Sequence, residues 1–187
     1  VAKAGRWRAL ATERVYTTPI FDLHRLKSTH PNRGERDFYV LSAPTWVNII
    51  PLTAAREVVL VKQYRHGIGD FTLEIPGGMV DPEDPNPAAA ARREMREECG
   101  YDSEVIIPLG QVHPNPAIQP NMCHFFFAPN VIKVGEPNQN VGGAEETEVR
   151  LVPLANIKQM IRAGAISHAL VIAAFSFFDL YNPPRSD

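Results

Sequence analysis

The chain has 187 residues, 44% of them hydrophobic, with a formal net charge of −2 and a pI near 6.3. That apolar content suffices for one domain with a real core and an appended piece. The near-neutral charge and the lack of a basic run argue against a nucleic-acid-coating or membrane-surface protein. No stretch reaches the roughly 18 uninterrupted apolar residues of a membrane span.

Residues 10–43 read as a small antiparallel sheet. Val15 to Lys27 alternates apolar and polar side chains around a break at Pro19, a turn follows at His30 to Gly34, and Asp37 to Leu41 returns as a strand. A sheet that small is marginal alone and needs a partner surface. This divides the chain into an N-terminal region, 1–43, and a main domain, 44–187. Trp46 to Thr53 and Val58 to Tyr64 are β-prone and read as neighbouring central strands. Phe71 to Ile75 is a third strand, which delivers the chain to the turn Pro76-Gly77-Gly78.

Ala88 to Cys99 is rich in helix formers, and Gly100 stands where a C-terminal stop belongs. Glu94, Glu97 and Glu98 (i, i+3, i+4) share one face, while Ala88, Ala91, Met95 and Cys99 form an apolar stripe. Three stacked acids repel one another by a few tenths of a kcal/mol per pair. A plain solvated face with an Arg93–Glu97 ion pair is the simplest account of such a string. The Gly-Gly turn ahead of the helix favours a divalent cation, since hard ions such as Mg2+ take oxygen ligands.

Further along, Glu104 to His113, Met122 to Ala128 and Val149 to Leu154 read as strands, with a rigid His113-Pro114-Asn115-Pro116 loop between the first two. The loop 133–146 is too long to be idle in a compact domain. Asn156 to Ala163 and His168 to Tyr181 read as closing helices, with Phe175, Phe178 and Tyr181 on one side of the second. Cys99 and Cys123 lack metal-ligand spacing and read as inert core thiols rather than a disulfide. With no signal peptide visible, a cytoplasmic setting is expected.

Gly78 together with Arg93-Glu94-Met95-Arg96-Glu97-Glu98-Cys99-Gly100-Tyr101 resembles the Nudix box, G-x5-E-x7-R-E-U-x-E-E-x-G-U with U apolar. The tail matches at every defined position. The front half departs from the pattern: Asp84, not Glu, stands six residues after Gly78, and eight residues rather than seven separate it from Arg93. The supporting acid of the box is therefore Asp84 or Glu83. Val61 to Arg65 (VKQYR), Leu73 to Gly78 (LEIPGG) and Pro116, sixteen residues past Gly100, resemble the ADP-ribose and nucleotide-sugar pyrophosphatase branch of that family. No LLTxR-type stretch precedes the box, which disfavours coenzyme A pyrophosphatases.

The resemblance implies an α/β Nudix fold, an α/β/α sandwich preceded by a small N-terminal antiparallel sheet. It implies hydrolysis of the diphosphate of ADP-ribose or another nucleoside diphosphate sugar such as GDP-mannose. Two or three Mg2+ ions, or Mn2+, would bridge the diphosphate and activate water. Glu94 and Glu98 are then the main metal ligands, with Glu97 in support and the Gly77 carbonyl completing a coordination sphere. Arg93 would orient these carboxylates. A loop glutamate, Glu145 or Glu146, would serve as general base. Arg65, Glu74, Pro116 and Trp7 are the expected substrate contacts, and the working unit is expected to be a homodimer with exchanged N-terminal strands. Two other readings are a house-cleaning nucleoside triphosphate pyrophosphatase and a non-catalytic nucleotide-sugar sensor. The N-terminal sheet and QYR speak against the first, and the intact carboxylates against the second.

Overall fold

The structure, a computed structural model, describes residues 5–138 and 147–181. The chain divides into two compact units, 1–44 with 113–122, and 45–112 with 123–187.

The first unit is an antiparallel sheet of β1 (Arg8–Thr17), β2 (Asp22–His30) and β3 (Gly34–Ser42), in that order. The expected break at Pro19 is a full turn between two strands: Thr18 N donates to Phe21 O, and Phe21 N to Thr18 Oγ1, both at 2.9 Å. The sheet also starts earlier than expected, at Arg8. Every residue of β1 is exposed, so no buried face imposed an apolar alternation on its sequence. The segment 113–122 belongs with this unit, tied to it by Leu41 N to Ile118 O (2.8 Å) and Asn121 Nδ2 to Pro44 O (3.0 Å). Pro116 thus lies outside the unit that carries the acidic helix.

The second unit is built on β4 (Trp46–Leu52), β5 (Glu57–Arg65), β6 (Asp70–Glu74), β7 (Gly77–Met79), β9 (Ile107–Val112), β10 (Cys123–Pro129) and β12 (Thr147–Pro153), preceded in places by the short β8 (Tyr101–Asp102) and β11 (Ile132–Lys133) pair. Its helices are α1 (Pro87–Cys99), α2 (Ile157–Arg162) and α3 (Ala169–Leu180). The sheet order is β12-β5-β4-β10-β9, with β6 on β5 and β7 on β4. β4 and β5 are neighbours, as their sequences suggest, but pair only at Leu52 and Val58. The first half of β4 instead pairs with β7, Val47 opposite Gly78 and Asn48 opposite Gly77, while β10 runs parallel along the whole of β4. The Gly-Gly turn is thereby laid into the sheet rather than left as a free loop.

Both faces of the sheet are covered, as in an α/β/α sandwich. Alternate residues supply the two cores. Ile50, Leu60, Phe125 and Phe127 pack with Val171, Ala174 and Phe175 of α3, and Val47, Ile49, Val61 and Phe126 pack with Ala90, Ala91, Met95 and Cys99 of α1. Ala90 joins the buried stripe of α1, and Ala88 is only partly buried. Burying Met95 alone contributes about 1.5–3 kcal/mol. Phe178 of α3 and Tyr181 just past its end pack on Phe127, and Phe177 on Phe125. Both cysteines are free and buried, and burial pushes each thiol up to about 12.

α1 has strong ends. Asn86 Oδ1 accepts from Ala89 N at 3.0 Å and Pro87 opens the first turn. Gly100, at φ 72°, donates to Arg96 O, and a β-carbon there would fall 2.3 Å from Gly135 O. Just beyond, Asp102 is buried and receives Arg92 Nε at 2.7 Å, Arg92 Nη2 at 2.9 Å and Arg96 Nη2. The Arg92 hydrogen bonds, with help from Arg96, hold its carboxyl at about 2 against burial, below its ordinary 3.8. A depressed pKa contributes stability that is present above 3.8 and lost as pH falls through about 2. Asp102→Asn should therefore lower unfolding free energy by about 1–3 kcal/mol at neutral pH. Denaturant titrations at a series of pH values should show the gap closing between pH 4 and pH 2, and a gap independent of pH would contradict the assignment.

Candidate functional site

At the acidic face of α1, the turn into β7 meets the helix. The turn is pressed onto the helix. A β-carbon on Gly78 would lie 2.3 Å from Glu94 Oε1, and one on Gly77 would lie 2.3 Å from Val47 O, so neither position accepts a side chain without displacement. Gly77 N donates to Glu98 Oε2 at 2.8 Å. The amide of Gly77 thus engages an acid of the helix.

Arg93 gathers the acids. Its Nη1 reaches Glu94 Oε1 at 3.0 Å and Glu97 Oε2 at 3.1 Å, while Nη2 reaches Asp84 Oδ2 at 2.9 Å, Met79 O at 3.0 Å and Asp81 Oδ2 at 3.2 Å. Nε adds a longer bond to Asp84 Oδ1 at 3.3 Å. Of the two front-loop acids that sequence left open, Asp84 is the one in contact with Arg93. The inserted residue of the proline-rich loop is absorbed without losing this ion pair. The Arg93 hydrogen bonds hold the Asp84 carboxyl below its usual range, and its carboxylates raise Arg93, with Asp84 first among them.

Glu94 behaves differently. Burial is the largest influence on it and, aided by the charges of Glu97 and Asp81, pushes its carboxyl up to about 7 despite Arg93 alongside. Both partners of this pair shift upward, for different reasons: Arg93 answers to a whole ring of carboxylates, whereas Glu94 is governed by its own loss of water.

Glu94, Glu97 and Glu98 offer hard oxygen donors. Among the described residues, no three His, Cys, Asp or Glu side chains form a ready-made metal cage. Mg2+ asks for no such cage, being held by one or two carboxylates together with waters and substrate phosphates. The donor set fits such an ion.

A second constellation lies just upstream. Glu74, only 1% exposed, receives Arg65 Nε at 2.7 Å, Arg65 Nη2 at 2.8 Å and the Thr72 hydroxyl, and His168 Nε2 stands 3.8 Å away. Burial raises this carboxyl, but the bonds from Arg65 and Thr72 prevail and keep it below its usual range. Glu74 therefore acts on its surroundings through Arg65, whose guanidinium it fixes in a two-bonded fork. Thr72 and His168 went unnoticed in the sequence. His168 also caps α3, its Nδ1 accepting from Leu170 N at 3.2 Å, so Nε2 carries the proton in the neutral ring.

The other expected site residues are not brought to this face by any described contact. Trp7 packs on His30 and Phe38 within the N-terminal sheet, and Pro116 lies in the 113–122 segment of that unit. Glu145 and Glu146 lie outside the described residues. Thr147, which follows them directly, donates its hydroxyl to Glu98 O at 3.0 Å.

With this geometry in view, comparison with known proteins is decisive at the level of family. The NUDIX domain model matches residues 44–175, most of the chain. The chain belongs to the Nudix family. Among curated relatives, an ADP-ribose pyrophosphatase of Bacillus subtilis is 22% identical over 92% of each chain. An ADP-sugar pyrophosphatase of Mus musculus is 44% identical over 68% of this chain and 62% of its own. A solved structure described as "Crystal structure of ADP compounds hydrolase" superimposes with a TM-score of 0.82 at 19% identity, covering 96% of both chains. The last of these speaks for the fold. The residues that resemble the Nudix box fall at Gly78 in β7 and along the second half of α1 to Tyr101. Enzymes of this family in general use divalent metals.

Proposed function

We propose that this Nudix protein hydrolyses the diphosphate of ADP-ribose or a related nucleoside diphosphate sugar in a Mg2+-dependent reaction. Water adds across the P–O–P bridge, leaving a nucleoside monophosphate and a sugar phosphate. The observation that carries the reading is the complete acidic face of α1, Glu94, Glu97 and Glu98, bound up with Arg93 and the Gly77–Gly78 turn. The relatives named for ADP-ribose and ADP-sugar cleavage support the choice of substrate class.

Glu94 and Glu98 would hold the cation, with Glu97 in support. Bound there, Mg2+ neutralises diphosphate charge and lowers the pKa of water. Arg93 keeps the carboxylates from splaying apart under their mutual repulsion. Arg65, locked by Glu74, presents a rigid planar cation suited to a phosphate or a nucleobase face. Glu145 or Glu146 takes the proton from the attacking water.

We further propose that the protein works as a homodimer joined through its N-terminal strands. The exposed Leu10, Val15, Tyr16, Ile20, Phe38 and Tyr39 in and around that sheet support this, since a three-stranded sheet with so much uncovered apolar surface invites pairing.

A panel of ADP-ribose, GDP-mannose and nucleoside triphosphates, assayed with and without Mg2+, tests the activity. Sugar nucleotides should be cleaved only with the metal. In the same assay Glu98→Gln should fall by roughly 10²-fold or more, and one of Glu145→Gln and Glu146→Gln should lower kcat with little change in KM. Preference for triphosphates, or a Glu98→Gln rate near that of the parent at saturating Mg2+, would contradict the reading. For the dimer, sedimentation of the full chain should give twice the 20.8 kDa chain mass, and a monomer at micromolar concentration would rule it out.

A further inference from the structure

We infer that Thr147 is a positioning residue of the acidic site, holding the backbone of Glu98 in place while Gly77 holds its carboxylate. The inference rests on the reading of Glu98 as a cation ligand.

An α-helix leaves its last carbonyls without partners inside the helix, and they must find them elsewhere. At the end of α1, Arg96 O takes Gly100 N, a local cap. The next two carbonyls are satisfied from far along the chain. Glu97 O receives Asn138 N at 2.7 Å, and Glu98 O receives Thr147 Oγ1 at 3.0 Å. Positions 138 and 147 are thus both moored to the last turn of the helix that carries the acids.

Thr147 is well suited to this task. It opens β12, is buried, and pairs with Gln63 of β5, itself only 3% exposed. Its hydroxyl is therefore delivered by the edge of the main sheet. Glu98 is gripped at both ends, its carbonyl by β12 through Thr147 and its Oε2 by β7 through Gly77 N at 2.8 Å. β12 and β7 pair with β5 and β4 of one sheet, so a single rigid element sets where this glutamate stands relative to Glu94. Partners that orient a metal ligand without touching the metal affect ion affinity strongly, because a ligand free to turn must be ordered anew on binding. A serine would keep the hydroxyl. A valine would keep the branched shape and strand preference but bring no donor to Glu98 O.

The test is Mn2+ titration of the substrate-free protein, followed by electron paramagnetic resonance, for the parent, Thr147→Val and Thr147→Ser, with melting temperatures measured alongside. Thr147→Val should bind Mn2+ about 10-fold more weakly, while Thr147→Ser should bind as the parent does. In the sugar-nucleotide assay, Thr147→Val should need correspondingly more Mg2+ for half-maximal rate. Thr147→Val binding Mn2+ as tightly as the parent, even with a lowered melting temperature, would overturn the inference, because a purely structural threonine behaves that way. So would Thr147→Ser losing as much affinity as Thr147→Val. A parent protein that takes up no Mn2+ would overturn both this inference and the cation reading. A parent that binds Mn2+ yet cleaves no diphosphate would sink the proposed activity alone, and the comparison of variants would still decide the role of Thr147.

Discussion

The Gly77–Gly78 backbone approaches the acidic face of α1 closely enough that a β-carbon on Gly78 would collide with the Glu94 carboxylate. Much of the second unit serves this approach. The pairing of β7 with the first half of β4 fixes the turn, and Met95, Ala91 and Cys99 seat the helix on the same sheet. Asn86 and Gly100 give the helix defined ends. Pressing the helix against glycine backbone brings an amide N–H to Glu98.

Close approach alone would leave several like charges in a partly dry site, an expensive arrangement unless they are paired. Arg93 meets that demand by touching Glu94, Glu97, Asp84 and Asp81 at once. Its guanidinium can do so because its donors fan out in one plane, which a lysine could not reproduce. Glu94 stays raised even so, since burial governs it. The Arg65–Glu74 pair repeats the logic on a smaller scale: a buried carboxylate is kept ionised by a guanidinium that it holds in a two-bonded fork. In both places the protein spends buried charge on geometry rather than on stability.

The parts of this architecture legible in the sequence are those with local causes. The helix from Pro87 to Cys99 announces itself through helix formers and a glycine stop, and the carboxylates on its face follow from 3.6-residue periodicity. The central strands and closing helices are likewise carried by apolar runs of the right length. β1 was harder to see, because a strand exposed along its whole length has no reason to alternate. The choice between Asp84 and Glu83 depended on how an inserted residue is absorbed in a proline-rich loop, which no spacing rule decides. Thr72 and His168 around Glu74, and Thr147 on Glu98, come from distant or unremarkable positions, and only tertiary contact reveals them. The affiliation of 113–122 with the N-terminal sheet is of the same kind, resting on long-range hydrogen bonds such as that from Asn121 to Pro44, 77 residues apart.

The central claim is that Glu94, held by Arg93, and Glu98, held by Gly77, form a divalent-cation site. Anomalous diffraction from crystals of the protein soaked in Mn2+ tests it most directly. The account predicts an anomalous peak in direct contact with carboxylate oxygens of Glu94 and Glu98, beside the Gly77–Gly78 turn. Ordered Mn2+ elsewhere on the molecule, with these two carboxylates left to Arg93 and Gly77 alone, would contradict it.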